Sequence, residues 1–182
     1  AEQQRVTARV ALARTIGEGV TADLDGGGQD DGSDTPFPTL QAALIWAGPL
    51  WVEKQAQLGL SGHWGRETLD RSEEGKIIEP DTDHYDSWSV IGTVVLPLTS
   101  QLTVQGSLWQ GANLDAFLGG IGQGINLKLK RAIQARGGWV QALWDVNELW
   151  SFSTGYGFDD PDDADLNEGQ RAKNERIFVN AY

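Results

Sequence analysis

The stretch from Ser87 to Gln110 decides the fold, and it reads SWSVIGTVVLPLTSQLTVQGSLWQ. Apolar side chains occupy every second position on both sides of a tight turn at residues 97–100. A period of two is typical of β-strands, and two such runs joined by a tight turn predict a hairpin. Each arm has about ten residues, which is long for a soluble strand but is the length that a tilted strand needs to cross a bilayer.

The same alternation recurs along the chain, with short turns near residues 48, 99 and 146 and long connections between them. Further strands are predicted over residues 5–14, 39–47, 50–64, 133–144, 148–158 and 176–182. The apolar phase slips at Gly137-Gly138, which predicts a bulge there. The pattern predicts an all-β fold: residues 1–182 form a single antiparallel transmembrane β-barrel domain or segment with about eight strands here, as part of a larger barrel.

Composition narrows the classes of protein and partner. The net charge of −12 disfavours a nucleic-acid partner, because phosphate binding requires a basic face. The chain has no Cys, hence no disulfide framework, and it has no apolar run of about 18 residues that would predict a transmembrane helix. No signal peptide or initiating Met is visible, so we expect a mature product or an internal piece of a longer protein.

Carboxylates cluster in the long connections, and tryptophans lie near one end or the other of the predicted strands. Of the 26 carboxylates, 21 lie in three predicted long acidic loops, residues 16–36, 65–86 and 159–175. Tryptophans group near the short turns or near the long loops, as the aromatic girdles of a barrel do. The predicted membrane-interface residues are Trp46, Trp51, Trp64, Trp88, Trp109, Trp144 and Trp150. Of these, Trp51 and Trp109 are out of phase with the apolar faces of their strands.

Residues 111–131 differ from the acidic loops, because they are rich in apolar residues and glycine and end in three cations. In porin-like barrels such a loop can fold inward and narrow the pore. The predicted pore-lining residues are Arg5, Arg9, Lys128, Lys130, Arg131 and Arg136. Rings of Lys or Arg favour anions, so the sequence predicts weak anion selectivity. Alternatively, these cations pair with carboxylates and only hold the wall together.

Three glycine- and aspartate-rich stretches in the second half of the chain resemble outer-membrane porins of the DcaP-like kind. They are Gly119-Gly120-Ile121-Gly122-Gln123-Gly124, Arg136-Gly137-Gly138-Trp139-Val140-Gln141 and Gly155-Tyr156-Gly157-Phe158-Asp159-Asp160-Pro161-Asp162-Asp163. The resemblance implies a barrel in the bacterial outer membrane, often a homotrimer, that passes small polar solutes. Members of that family are considerably longer than this chain, which puts pore size and strand number in doubt.

The sequence contains only weak indications of a metal site or of catalysis, and we expect no enzyme, no cofactor and no metal site. Asp163-x-Asp165-x-Asn167 alternates oxygen ligands as a calcium loop does, but Gly169 and Glu175 each come one place too late for an EF-hand. No nucleophile motif flanks the two histidines, His63 and His84. The expected function is a diffusion channel with lipid and small solutes as partners. A small structural barrel and a soluble β-sandwich binding module remain as alternatives.

Overall fold

The structure, a computed structural model, describes residues 4–13, 38–73, 76–117 and 119–182, with the backbone alone for 69–73 and 76–82. The strands of this part of the chain are β1 (Arg5–Ala13), β2 (Thr39–Pro49), β3 (Gln55–Glu73), β4 (Lys76–Pro97), β5 (Leu102–Ala112), β6 (Ile125–Asn126), β7 (Arg131–Ala132), β8 (Gln134–Asp145), β9 (Ser151–Pro161) and β10 (Asn174–Ala181). Short 3-10 turns lie at Asp115–Phe117, Gly120–Gly122 and Asp163–Asp165.

Eight of these strands form one antiparallel sheet in the order β1-β2-β3-β4-β5-β8-β9-β10. The other two, β6 and β7, pair only with each other. Over the described residues β1 and β10 each have a neighbour on one side only, so the sheet is open and not closed into a barrel. The predicted all-β class with eight antiparallel strands is confirmed.

The predicted Ser87–Gln110 hairpin is confirmed as the pairing of β4 with β5, from Pro97 opposite Thr103 to Trp88 opposite Ala112. Its turn is closed by Thr99, whose Oγ1 accepts hydrogen bonds from the backbone N–H groups of Gln101 (3.1 Å) and Leu102 (2.9 Å). Residues 50–54 and 146–150 make the other short connections at this end of the sheet. No helix in the described ranges is long and apolar enough to cross a membrane.

The register divides the sheet into two faces, because directly opposed residues project to the same side. One side, the apolar face, carries Val6, Val10, Leu12, Leu40, Leu44, Trp46, Leu58, Leu60, Trp64, Trp88, Val90, Val94, Leu108, Val140, Trp144, Phe152, Tyr156, Ile177 and Val179. The other side, the polar face, carries Arg5, Thr7, Arg9, Gln41, Gln57, Ser61, His63, Ser89, Thr93, Gln105, Ser107, Gln141, Ser153 and Asn180.

Burial is inverted relative to a water-soluble domain. On the apolar face Val10 is 74% exposed, Leu60 58% and Ile177 78%. Fully buried apolar residues of the described chain are few and mostly small: Ala47, Ala56, Tyr85, Ala112, Leu114, Ile133 and Ala135. Each large apolar side chain left in water forgoes about 1.5–3 kcal/mol of burial, and apolar patches this extensive mark interaction or membrane surfaces. The valines and leucines of the long arms therefore require an apolar medium or partner.

An ion pair joins the turn ends of two strands that are not neighbours in the sheet. The Lys54 ammonium, in the connection before β3, lies 3.2 Å from a carboxylate oxygen of Asp145 at the end of β8. Two strands, β4 and β5, lie between β3 and β8, so the usual strand spacing separates them by about 14 Å. The two side chains therefore reach toward each other across the turn ends of β4 and β5.

The acidic stretch 65–86 was predicted as a loop, and this prediction is wrong. Both arms continue β3 and β4 as a paired hairpin, with Arg66 opposite Asp86 and Glu73 opposite Lys76. Arg66 and Asp86 form an ion pair across the two strands at 2.9 Å, which stabilises the pairing and which charge content alone does not reveal. Of the other predicted loops, residues 16–36 lie outside the described chain, and 159–175 begins and ends in strand.

The predicted bulge at Gly137-Gly138 is also wrong. Strand β8 pairs without interruption with both β5 and β9. The apparent change of phase arises because apolar residues also occur on the polar side of β8, where Trp139 faces Gly157 directly and Ala135 is buried. Aromatic–glycine pairs recur there: Trp109 opposes Gly137, and Phe178 opposes Gly155.

We predict that Gly137→Ala lowers the free energy of unfolding by about 1–3 kcal/mol, the usual cost of overpacking. A Cβ at Gly137 would overlap the Trp109 indole and lie 2.7 Å from the Phe158 carbonyl oxygen. Gly92→Ala is the matched control, because a Cβ there has no atom within 4 Å, and it should be neutral. Urea unfolding in detergent micelles, followed by tryptophan fluorescence, measures both. Equal stability of the two variants would contradict the aromatic–glycine contact.

Candidate functional site

The connection from β5 to β8, residues 113–133, lies on the polar face of the sheet and is called here the inward segment. It leaves β5 at Asn113, a buried residue with φ 53°, a left-handed conformation that Asn tolerates better than most residues. Its side-chain amide donates a hydrogen bond to Glu67, and its carbonyl accepts one from the Ser87 hydroxyl at 2.7 Å. Since Asn113 N–H also donates to the Ile133 carbonyl at 3.0 Å, the two ends of the segment are adjacent.

The first turn of the inward segment stacks an aromatic ring on the sheet. Phe117 lies over His63 with ring centroids 3.8 Å apart and planes at 19°. The His63 ring is fixed from below, because its two nitrogens hydrogen-bond the hydroxyls of Ser87 (2.9 Å) and Ser89 (2.7 Å). Both ring nitrogens therefore contact serine hydroxyls rather than a carboxylate, an arrangement that holds the ring in place as a platform.

The glycine-rich middle of the inward segment is held by a wall carboxylate. Gly120, Ile121 and Gly122 all have positive φ (63°, 57° and 70°), and for Ile121 this left-handed conformation costs about 1–2 kcal/mol. The Ile121 N–H donates to a carboxylate oxygen of Asp159 on β9 at 2.8 Å, which offsets part of that cost. Gly119 packs against Leu114 and the Trp109 indole, where a Cβ would be crowded. Residues 119–124, which carry part of the sequence resemblance, thus form a strained turn that contacts the sheet.

The last part of the inward segment is held by Asp165, which is 4% exposed. Its carboxylate accepts hydrogen bonds from Arg131 (3.0 Å) and from the Gln134 backbone N–H (3.0 Å). Its carbonyl accepts another from the buried amide of Asn126 at 2.7 Å. The Asp163–Asn167 stretch, weighed above as a calcium loop, therefore has its central carboxylate committed to the protein itself. No group of His, Cys, Asp or Glu in the described residues is arranged to hold a metal ion.

The six predicted pore-lining cations differ in the face on which they lie and in whether they form ion pairs. Arg5 and Arg9 lie on the polar face of β1, as predicted, and form no ion pair within the described ranges. Lys130 lies 4.0 Å from Asp83, Arg131 pairs with Asp165, and Lys128 is exposed. The alternative that cations pair with carboxylates thus applies to Lys130 and Arg131, while Arg5 and Arg9 keep their charge toward the open polar side.

The prediction that Arg136 lies on the polar side is wrong, because the residue lies on the apolar side of the sheet. The register places it opposite Gln110 and Asp160, in phase with Val140 and Trp144. Its guanidinium donates two hydrogen bonds to one Asp160 oxygen at 2.9 and 3.0 Å. The predicted bulge caused the error, since a slip of one residue exchanges the two faces.

Two residues of the polar face escaped the sequence analysis. Arg176 projects to this face from β10, opposite Gly157, and the alternation of Ile177, Val179 and Ala181 on the other side is the signal that identifies it. His63 lies in phase with the glutamines of β3, but only the tertiary structure brings Phe117 onto it.

Four of the seven predicted interface tryptophans lie on the apolar face: Trp46, Trp64, Trp88 and Trp144. Trp51 and Trp150 lie in the short connections and are more than half exposed. Trp109 lies on the polar face opposite Gly137, where its ring packs beneath the inward segment at Gly119. This agrees with its phase along the strand, which differs from that of the apolar residues.

Paired charges border the apolar face at the end opposite the short turns. Arg66 pairs with Asp86 and Arg136 with Asp160, both at 2.9 Å. Lys173 lies 2.8 Å from Glu175, and this carboxylate, through its hydrogen bond, raises the pKa of the Lys173 ammonium. Along the strands, apolar side chains therefore give way to ion pairs at this end of the sheet.

No protein-family model, no curated protein and no solved structure matches this chain. The resemblance to DcaP-like porins therefore stays a prediction.

Proposed function

We propose that the chain forms the wall of a β-barrel channel in the bacterial outer membrane, through which small polar or anionic solutes diffuse. The observation that carries the proposal is the exposed apolar face, which runs across all eight strands of the sheet, while the opposite face carries most of the polar side chains of the strands. Barrels that span a membrane have this arrangement, with apolar residues toward lipid and polar residues toward the lumen.

The height of the apolar face supports the proposal. Trp88 and Leu98 are ten residues apart in the sequence, or about 34 Å along an extended strand. A strand tilt of about 40° reduces this to roughly 25 Å, the height of the apolar band of outer-membrane barrels. The Arg66–Asp86 pair lies beyond one end of this band, and the exposed Trp51 and Trp150 lie at the other.

The inward segment supports a barrel of more than eight strands. The interior of an eight-stranded barrel is just wide enough for side chains. Here the polar face already carries Trp109 and Trp139, and the backbone of residues 113–133 lies over it. We therefore propose that additional strands pair with the free edges of β1 and β10, and that the inward segment narrows a water-filled lumen. By the resemblance, the assembly is a homotrimer.

Charge on the polar face supports a preference for anions. Arg5, Arg9 and Arg176 project to this side without an ion pair among the described residues. Two carboxylates of the same face lie near ammonium groups: Asp83 is 4.0 Å from Lys130, and Asp145 is 3.2 Å from Lys54. Cations that line a pore lower the barrier for anions.

The test is the reversal potential of the purified protein in a planar lipid bilayer under a KCl gradient. We expect extraction from membranes to require detergent, and we expect a stepwise conductance with a reversal potential of the sign given by chloride permeation. A protein that needs detergent but never conducts would instead be a small structural barrel. Solubility without detergent, or clear cation preference, would contradict the proposal.

A further inference from the structure

A cleft lies about midway along the strands on the polar face, between β1 and the first turn of the inward segment. Its volume is about 310 Å³, at the low end of the roughly 300–1,000 Å³ typical of small-molecule sites. Ala43 and Ser61 form its floor, and larger side chains surround them: Arg9, His63, Ile91 and Phe117. Small residues directly opposite each other on β2 and β3 leave the space, since a side chain of ordinary size at either position would fill it.

The lining of this cleft combines one cation with apolar surface. Arg9 is the charged residue of the lining, and it has no ion pair among the described residues. Phe117 is 44% exposed although its ring is stacked on His63, so the face away from His63 remains available. Ile91 adds a second apolar contact, and the Gln41 amide and Ser61 hydroxyl add neutral hydrogen-bonding groups.

We infer that this cleft is a solute-binding subsite of the channel for aromatic monocarboxylates, an inference that rests on the proposed function. The aromatic ring of the solute stacks against Phe117 and Ile91, and its carboxylate receives paired hydrogen bonds from the Arg9 guanidinium. A small inorganic anion has no apolar group that could contact Phe117 and Ile91. A dicarboxylate must place its second charge against that wall, which removes water from the charge without a partner.

The test is block of the chloride current through the purified channel in a planar bilayer by added benzoate, with acetate and succinate as comparisons. Benzoate is expected to reduce the current reversibly at about fivefold lower concentration than either, the factor that an aromatic stacking contact of ordinary strength gives. Phe117→Ala should remove this preference, while Phe178→Ala, which truncates a polar-face aromatic over Gly155, should keep it. Arg9→Gln should weaken block by benzoate, and Arg9→Lys should restore part of it.

The outcomes separate this inference from the proposed function. A chloride current that benzoate, acetate and succinate block equally would overturn the subsite and leave the channel intact. Loss of the benzoate preference in Phe178→Ala as in Phe117→Ala would also overturn it, since a general effect on the lumen would then explain the block. Absence of any current would contradict the channel itself.

Discussion

Leu60→Arg is expected to lower the free energy of unfolding in lipid vesicles by about 2–4 kcal/mol, the cost of an arginine on the lipid side of a barrel near the bilayer midplane. Leu60 lies near the middle of the membrane-height part of β3, on the apolar face, and is 58% exposed. An exposed position has no packing to lose, so the expected cost comes from placing a guanidinium in hydrocarbon. Urea unfolding of the protein folded into vesicles, followed by tryptophan fluorescence, measures the difference.

The matched control is Gln57→Arg, three residues earlier in the same strand but on the polar face. Gln57 is exposed and already carries a long polar side chain, so the new charge would extend into the lumen and change stability by less than about 1 kcal/mol. If both variants matched the unsubstituted protein, the apolar face would be in contact with water, and the membrane assignment would have to be abandoned.

Excision of residues 114–132, with an Asn-Gly turn joining Asn113 to Ile133, is expected to raise the single-channel conductance severalfold. A short turn can replace the segment, because its two ends are already adjacent. The Asn113 N–H donates a hydrogen bond to the Ile133 carbonyl, and Ala112 is paired with Gln134. A two-residue Asn-Gly turn suits a hairpin of this register. The physical reason for the increase is that the inward segment occupies space on the polar face through contacts with His63 and Asp159.

Stability of the excised protein must be measured beside its conductance. All eight strands of the sheet remain, so the variant should still fold in detergent. A folded variant with unchanged conductance would show that the segment does not narrow the conducting path. Asp159→Asn offers a milder comparison, since it weakens the contact with the Ile121 N–H but keeps the segment, and it should increase current noise more than mean conductance.

Local periodicity predicted the sheet because each strand needs only its own residues to reveal its two faces. The β4–β5 hairpin, the positions of the short turns and the polar-side placement of Arg5 and Arg9 all follow from a period of two. Arg136 was assigned to the wrong side for one reason. In β8 and its neighbours apolar residues occur on both sides, and the single-strand pattern does not say which are covered by the inward segment.

The contacts of the candidate site depend on residues far apart in the chain. Phe117 stacks on His63, which lies 54 positions earlier in the sequence. Asp165 forms an ion pair with Arg131, which lies 34 positions earlier. The acidic residues of 65–86 likewise indicated a loop until their pairing across β3 and β4 became visible.

By itself the sequence determined an antiparallel sheet with one apolar and one polar side, because alternation along a strand is a local property of the backbone. Only the tertiary structure decided that residues 113–133 lie on the polar side, that Arg9 borders a cleft beside Phe117, and that the acidic hairpin continues the sheet. These depend on which strands become neighbours and on the direction in which the chain leaves β5 at Asn113, and no local pattern encodes either.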